Sequence, residues 1–253
     1  MKRINFKRLV ARNNRLILAY EKKYAKEIGR ALQKQLKGYL EAGVLNDEIT
    51  PILYDMYMSV GERFYLNQYK LLSDISQKNL FIDVFKIWWI NYVGSVLAEK
   101  VTRINETTLS KLQEALGDLI PQSLEFEEMA NRLMKDFDFS MKRAMMISRT
   151  EVGNAMNEAK FMAKDNIKNE LKEEIWKIWI HRGAKNPRDW HVRLDNGKAI
   201  HEDDVWRVEV PGTGFTEPMS RPHDPNASAE NVINCGCEVM YISYSYAKNN
   251  GMI

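Results

Sequence analysis

Apolar residues recur at helical spacing through the first two thirds of the chain, and at alternating or irregular spacing after that. Over residues 8–41, Tyr20, Tyr24, Ile28, Leu32 and Leu36 stand four apart, one stripe of a helix whose other faces carry Lys and Arg. Gly43 and Asn46 end it. Thr50 as N-cap and Pro51 at the first helical position open a second helix, reaching about Leu72, with Leu53, Tyr57, Val60 and Phe64 inward. A third begins near Asn79, and Phe81, Phe85, Trp88, Trp89, Tyr92 and Val96 give it a wide apolar face; aromatics at this spacing predict core contact between helices. Residues 106–117 predict a further helix, ended by Gly117 and Pro121. "SLEFEEMANRLMKDF" predicts another, capped by Ser123, with Glu125, Glu127 and Glu128 complementing its positive start. "DFSMKRAMMISRTEVGNAMNEAKFMAKDN" predicts a long helix capped by Asp138 or Ser140, with Ala144, Ile147, Ala155, Ala159 and Met162 inward.

The pattern changes near residue 173. "EEIWKIWIH" predicts a strand, "VWRVEV" alternates with period two, and "CEVMYISYSY" is a third strand candidate. "GAKNPRD", "DNGK", "PGTGF" and "SRPHDPNAS" between them predict turns and loops, the Asn196–Gly197 pair being a tight-turn signal. No repeat of fixed period is present. The fold class is therefore α+β: a mostly helical N-terminal region followed by a small C-terminal module of short antiparallel strands and loops, joined through the helix at 140–165.

Charge changes this picture more than composition does. The 253 residues, 45% apolar, can bury a core in one large domain or two smaller ones. Residues 1–40 carry twelve Lys or Arg against two Asp or Glu, a surplus of +10, which leaves −7 for the remainder of a chain totalling +3. A basic arm on a mildly acidic body suits an anionic partner, or is simply a solvated basic helix face. The start "MKRINFKRLVARNN" lacks the long apolar run of a signal peptide, and Asp83, Lys86 and Asn91 interrupt the most apolar stretch, so no membrane segment is expected.

All four histidines and both cysteines lie in the C-terminal part. A bond between Cys235 and Cys237 would close a very small, strained ring, which leaves free thiols, metal ligands or small buried residues, all suited to a reducing compartment. Cys235, Cys237 and His191 can supply three zinc ligands, with His223, His201 or Asp224 as a fourth. The one-residue cysteine spacing differs from the two to four residues usual in zinc sites. A second reading places both cysteines at the start of a strand, packed on one face. A third makes Cys235 a nucleophile with His191 and either Asn234 or Asp189. No Gly-x-Ser-x-Gly, phosphate loop or dinucleotide motif is present, and no residue is assigned a catalytic role. In "SRTEVGNAMN", Arg149 and Glu151 point apart on a helix, so Arg149 is free to reach another element. Glu151, Asn154, Asn157 and Glu158 share a face, which reads as an anchor tying this helix to the C-terminal module.

In this order, "SRTEVGNAMN", "WIHRGAKNPRDWHVRLDNGK", "PGTGF", "RPHDP" and "VINCGC" resemble the phage Mu F-type family of head-morphogenesis (minor head) proteins over about residues 110–245. The matching positions are Arg149, Thr150 and Glu151; Trp179; Arg188 and His191; Asn196 and Gly197; Pro222, Asp224 and Pro225; and Asn234, Cys235 and Cys237. Gly236 stands where the family has arginine, and Ala184 where an Asp is expected; both positions bear on an arginine–carboxylate contact. The resemblance implies a helical portal- or DNA-interacting region over 1–105 and a head-morphogenesis domain over 106–253. It implies a minor capsid protein of the virion, inside the head near the portal vertex, passing through the host cytoplasm during assembly. Its implied partners are the portal protein, the major capsid or scaffolding protein, and DNA bound without sequence preference. It also implies a His/Cys site at His191, Cys235 and Cys237, with zinc as the candidate metal and His223 taken as the fourth ligand from ligand chemistry, and structural roles for Arg149, Glu151, Arg188 and Asn234. The competing reading is a toxin-like or hydrolytic effector built on His191 and Cys235.

Overall fold

The structure, a computed structural model, describes residues 6–72, 80–119 and 137–253, apart from 169–170, 172–173 and 184–186, together with residues 122, 128, 132 and 133. Four long helices come first: α1 (Phe6–Ala42), α2 (Thr50–Leu72), α3 (Leu80–Leu119) and α4 (Phe137–Lys168). The module follows as β1 (Ile175–Ile180), α5 (Asp189–Leu194), β2 (Ile200–His201), β3 (Trp206–Val210), β4 (Phe215–Met219), α6 (Ala229–Val232), β5 (Glu238–Ser243) and α7 (Tyr244–Asn249).

Helix α4 packs along both α1 and α2 and supports β5. Its small residues make this possible: Ala144, Ala155, Ala159 and Ala163 are buried and let neighbouring backbones approach. The stripe expected on α2 is observed, with Leu53, Tyr57, Val60 and Phe64 all fully buried. Gly43, with φ 68°, ends α1 in the left-handed conformation that glycine adopts without strain. Asp47, rather than Thr50, supplies the capping oxygen of α2, accepting from the Thr50 amide at 3.0 Å.

Strands β2, β1 and β5 form an antiparallel sheet in that order, with Trp179 opposite Val239 and Ile178 opposite Met240. Alternation sorts its two faces. Ile175, Trp179, Val239 and Tyr241 join the large core shared with the helices. Ile178, Ile180, Met240 and Ile242 form a second cluster covered by Phe6, Leu9 and Val10 of α1. The sheet is thus covered on both faces, and β5 is buried along its whole length. The 105/106 division falls inside α3, and one hydrophobic cluster runs across it.

Several expectations are corrected. The separate helix over 106–117 is the end of α3, because residues 98–105 hold no Gly or Pro and Val101 and Ile104 continue the buried stripe. Trp88, expected in the core, is 47% exposed, because Trp89 on the next helical position takes the inward place. "YSY" after β5 turns into α7, capped by the Ser243 hydroxyl, which accepts from the Tyr246 amide. The loop after "PGTG" is strand β4, paired with β3 through a turn in which Gly212 and Gly214 take positive φ. Pro218 hid it, and a two-stranded edge is where proline is tolerated. Of the helix expected over 123–137, residues 128, 132 and 133 are described, all helical; α4 begins at Phe137, ahead of both cap candidates, so Asp138 and Ser140 lie inside its first turn and do not cap it. Among the described residues no helix is long and apolar enough to cross a membrane.

Trp89 lies across Gly61 of α2, and its indole N–H donates to the Tyr57 carbonyl at 2.9 Å. A Cβ on Gly61 would sit 2.2 Å from that ring, whereas one on Gly94 of α3 would meet nothing within 4 Å. Gly61→Ala is expected to destabilise the fold by about 1–3 kcal/mol through overpacking. Gly94→Ala is expected to stabilise it by about 0.5–1 kcal/mol through helix propensity. Urea unfolding of the two variants beside the parent checks both signs.

Candidate metal centre

Residues 233–239 cross α4 as a strap whose backbone is held mostly by side chains. The Ile233 carbonyl accepts from Arg188 at 2.6 Å. The Asn234 amide donates to the Thr150 hydroxyl at 2.8 Å, and its side-chain oxygen accepts from Arg149 at 3.0 Å. The Cys235 carbonyl accepts from His223 Nε2 at 3.1 Å, and the Gly236 carbonyl from Arg182 Nε. Asn157 brackets the next step, donating to the Cys237 carbonyl at 3.2 Å and accepting from the Val239 amide at 2.8 Å. Lys160 takes the Glu238 carboxylate and the Val239 carbonyl. A buried polar group left unpaired costs about 1–3 kcal/mol, so the grips on the buried stretch from Cys235 to Val239 stabilise this path most, while those on the exposed Ile233 and Asn234 anchor its entrance. Arg149 and Arg182 also flank Glu21 of α1, which ties the strap to the first helix.

Under the strap, His191, Cys235 and Cys237 are each about 1% exposed. His191 Nδ1 lies 3.5 Å from Cys235 Sγ and 3.7 Å from Cys237 Sγ, and the three ligand atoms all lie within 4.8 Å of one another. The ring's protonation is set from behind. Asn231 Oδ1 accepts from Trp190 Nε1 at 2.8 Å and from His191 Nε2 at 2.9 Å. Asn231 Nδ2 donates to the Glu209 carbonyl at 3.0 Å and to Glu217 Oε1 at 2.6 Å. With all four bonds fixing the amide's orientation, His191 carries its hydrogen on Nε2 and aims a bare Nδ1 lone pair at the sulfurs. Against the cost of burial, hydrogen bonds from Asn231 and Ser228 hold the Glu217 carboxyl below its usual range.

The sulfurs themselves are unequal. A hydrogen bond from Cys237 outweighs burial and, with the His223 and His191 rings, holds the Cys235 thiol well below its usual pKa. The same bond and burial push Cys237 well above. The Trp179 indole N–H, buried without a hydrogen-bond partner of normal geometry, favours a charged Cys237 sulfur. Two sulfurs, one imidazole nitrogen, a buried pocket and a ring whose far N–H is locked by an amide fit zinc. His191, Cys235 and Cys237 would hold it; no fourth ligand joins them among the described residues.

Residues 110–240 match the family described as phage Mu protein F like protein, just over half of the 253-residue chain. The chain belongs to this family. No curated protein and no solved structure matches it. This Mu F-like protein is thereby phage head-related, a virion protein by family.

In this Mu F-like chain the expected site residues separate into two groups. His191, Cys235 and Cys237 converge. His223 stands outside that cluster: Nε2 donates to the Cys235 carbonyl, while Nδ1 faces Asn154 Oδ1 at 3.1 Å, so both nitrogens are committed to holding the strap. Asp224 is taken by the Ser220 amide and hydroxyl and the Asn226 amide, and these bonds outweigh burial to keep its carboxyl below the usual range. His201 lies 3.6 Å from Asp203 and stacks edge-on to Trp176. Arg149 and Arg188 contact the strap, and Asn234 is part of it. The anchor face is observed at Asn154, Asn157 and at Glu158, which binds Arg221. Glu151 differs: it accepts from Tyr57 at 2.7 Å, Asn154 at 2.9 Å and Lys100 at 3.0 Å, joining α2, α3 and α4. That face also lines an open cavity of about 400 Å³, whose other walls are α3 and residues within 223–233. Ala184 lies outside the described residues.

Sequence reasoning missed Asn231, Arg182, Lys160 and Gly153. Gly153 had a signal, a glycine inside a long helix. A Cβ there would sit 2.3 Å from His223 Nε2. His223 and Asn234 are the only non-glycine residues with positive φ among those described, at 58° and 57°. These two chain reversals set the strap on α4.

Elemental analysis of the purified protein is expected to find about one zinc per chain, held by this Cys₂His set. Cys235→Ser and His191→Ala are expected to lose it. Asn231→Leu keeps all three ligands and is expected to weaken zinc binding by about 10–100-fold, read by competition with a chromophoric chelator. Gly153→Ala is expected to cost about 1–3 kcal/mol in urea unfolding by displacing His223.

Proposed function

We propose that this protein is a minor head component that sits at the portal vertex inside the head and contacts packaged DNA. Support comes from one arrangement above all: the basic face of α1. All ten Lys and Arg between Lys7 and Lys37 are exposed. Lys23, Lys34 and Lys37 pair with Asp55, Glu48 and Glu41. Arg12, Arg15, Lys22, Lys26 and Arg30 make no ion pair among the described residues. At helical spacing these five occupy about a quarter of the circumference along roughly 27 Å of helix. An unneutralised ridge of that length suits a phosphate backbone or an acidic portal surface. The opposite face of α1 is buried against α4, so the ridge is rigidly presented. Metal at the Cys₂His set would be structural, pinning the strap, and no catalytic residue is assigned.

One observation favours an effector reading. Cys235, His191 and Asn231 are connected as thiol, base and orienting amide. All three are buried to 1% exposure or less, however, and a second sulfur competes for the same nitrogen, which weighs against that reading. A hydrolase screen with His191→Ala as control tests that reading.

Co-purification with the portal protein and retention on duplex DNA at low salt are the expected results. Replacing Arg12, Arg15, Lys22 and Lys26 by Gln is expected to abolish DNA retention. In the parent, log affinity should fall with log salt at a slope of about −0.9 per phosphate neutralised. A parent chain that ignores both portal and DNA at low salt would overturn the proposal.

A further inference from the structure

Three polar side chains from distant parts of the chain meet in the core: Asn13 of α1, Lys160 of α4 and Glu238 of β5. Their exposures are 2%, 1% and 0%. Asn13 Nδ2 and Lys160 Nζ both donate to one oxygen, Glu238 Oε2, the first at 3.3 Å and the second through a shorter contact. The Phe64 ring walls the site 5.6 Å from Nζ, whose other bond goes to the Val239 carbonyl at 2.9 Å. Two oxygens here are buried without a hydrogen-bond partner, Asn13 Oδ1 and Glu238 Oε1. A buried ion pair is favourable only when its remaining lone pairs are satisfied, and these are not. As a purely structural salt bridge the site is poorly finished. As a set of reactants it is complete: an amine, a carboxamide, and a carboxylate bonded to both.

The geometry points to an isopeptide bond between Lys160 Nζ and Asn13 Cγ, formed after folding with Glu238 as proton carrier, that cross-links α1 to α4. The Lys160 ammonium passes a proton to Glu238, and the freed electron pair on Nζ attacks Cγ of Asn13. Glu238 then delivers that proton to Nδ2, and the Cγ–Nδ2 bond breaks. Nζ gives up a second proton by the same route, so one ammonium ion leaves, a neutral secondary amide remains and Glu238 is unchanged. No oxidant, metal or co-reactant is needed. Burial lowers the Lys160 pKa against the pull of Glu238, with Arg182 acting in the same direction as burial, which favours the uncharged nucleophile. Holding amine and amide on one oxygen supplies the proximity that aminolysis lacks in solution. Protonated Glu238 can meanwhile donate to the unpartnered Asn13 oxygen and polarise the carbonyl under attack. The product joins the basic first helix to the strap-bearing body by a covalent bond in the core.

The test is mass spectrometry on the full, folded chain, denatured only for measurement. The expected intact mass is that of the sequence less one ammonia. After trypsin, the peptide Asn13–Arg15 should be absent in free form and joined to Thr150–Lys164, uncut at Lys160. Cyclisation at Asn196–Gly197 also sheds ammonia but leaves that tripeptide free, so the peptide map separates the two. Glu238→Gln and Lys160→Arg are expected to keep full mass and release the tripeptide. A parent chain that releases Asn13–Arg15 in full after prolonged incubation in the folded state would overturn the inference, whatever the variants do. Cross-linking undiminished in Glu238→Gln would remove Glu238 from it.

Discussion

A loop that runs through the interior must find partners for every N–H and C=O it carries, because no water is there to do so. Residues 235–239, entered from the exposed Ile233 and Asn234, are such a loop, and the structure depends on how their backbone is satisfied. Only at Glu238 does a strand ladder begin. Before that, Arg188, Thr150, His223, Arg182 and Asn157 take its polar groups one after another. This is why one face of a core helix is polar. Apolar side chains on that face would fill space as well, but they would leave bare the Asn234 amide that Thr150 takes, the Cys237 and Val239 carbonyls that Asn157 and Lys160 take, and the His223 ring that Asn154 faces. Gly153 belongs to the same constraint, since only a missing side chain lets the His223 ring lie against the helix.

The Cys₂His cluster is a consequence of that path. The strap delivers Cys235 and Cys237 to one side, and the short helix α5 delivers His191 to the other, held by the Asn231 amide. His223, which the ligand chemistry alone would have placed in the cluster, serves the backbone instead. Its two ring nitrogens face two oxygens, the Asn154 side-chain oxygen and the Cys235 carbonyl, so neither is left for a metal. The two thiols have opposite tendencies because the hydrogen bond between them lowers the pKa of Cys235 and raises that of Cys237.

The same interior couples the helical region to the module. Glu151 is held by Tyr57 from α2 and Lys100 from α3, and its burial is outweighed by these contacts, so its carboxyl stays charged. Glu21 of α1 receives two arginines that also grip the strap. Gln68 of α2 donates to the Tyr241 carbonyl at 2.8 Å. Such contacts are specific in a way that apolar packing is not, because a shift of one turn would strand a charge. They hold α1 with its buried stripe on α4 and its cationic face outward.

How much of this was legible depends on the range of the interaction. Leu53, Tyr57, Val60 and Phe64 were readable as core because a helix's inward face repeats along the chain itself. The strands β1, β3 and β5 were readable for the same reason, and the cysteine pair with His191 because few residue types can perform their chemistry. Trp88 and Trp89 compete for adjacent helix positions; Trp89 turns inward on the stripe of Phe85, Val93 and Leu97, and Gly61 on another helix leaves room for its ring. Asn231, Arg182 and Lys160 look like ordinary surface residues until the fold buries them beside a backbone that needs them. The sequence by itself determined the helices, the alternating strands, the basic arm and the family, since each is a local or ordered pattern. The tertiary structure alone decided which polar side chains became structural, because a hydrogen-bond partner in an interior is set by where distant backbone atoms arrive, and no spacing along the chain encodes that.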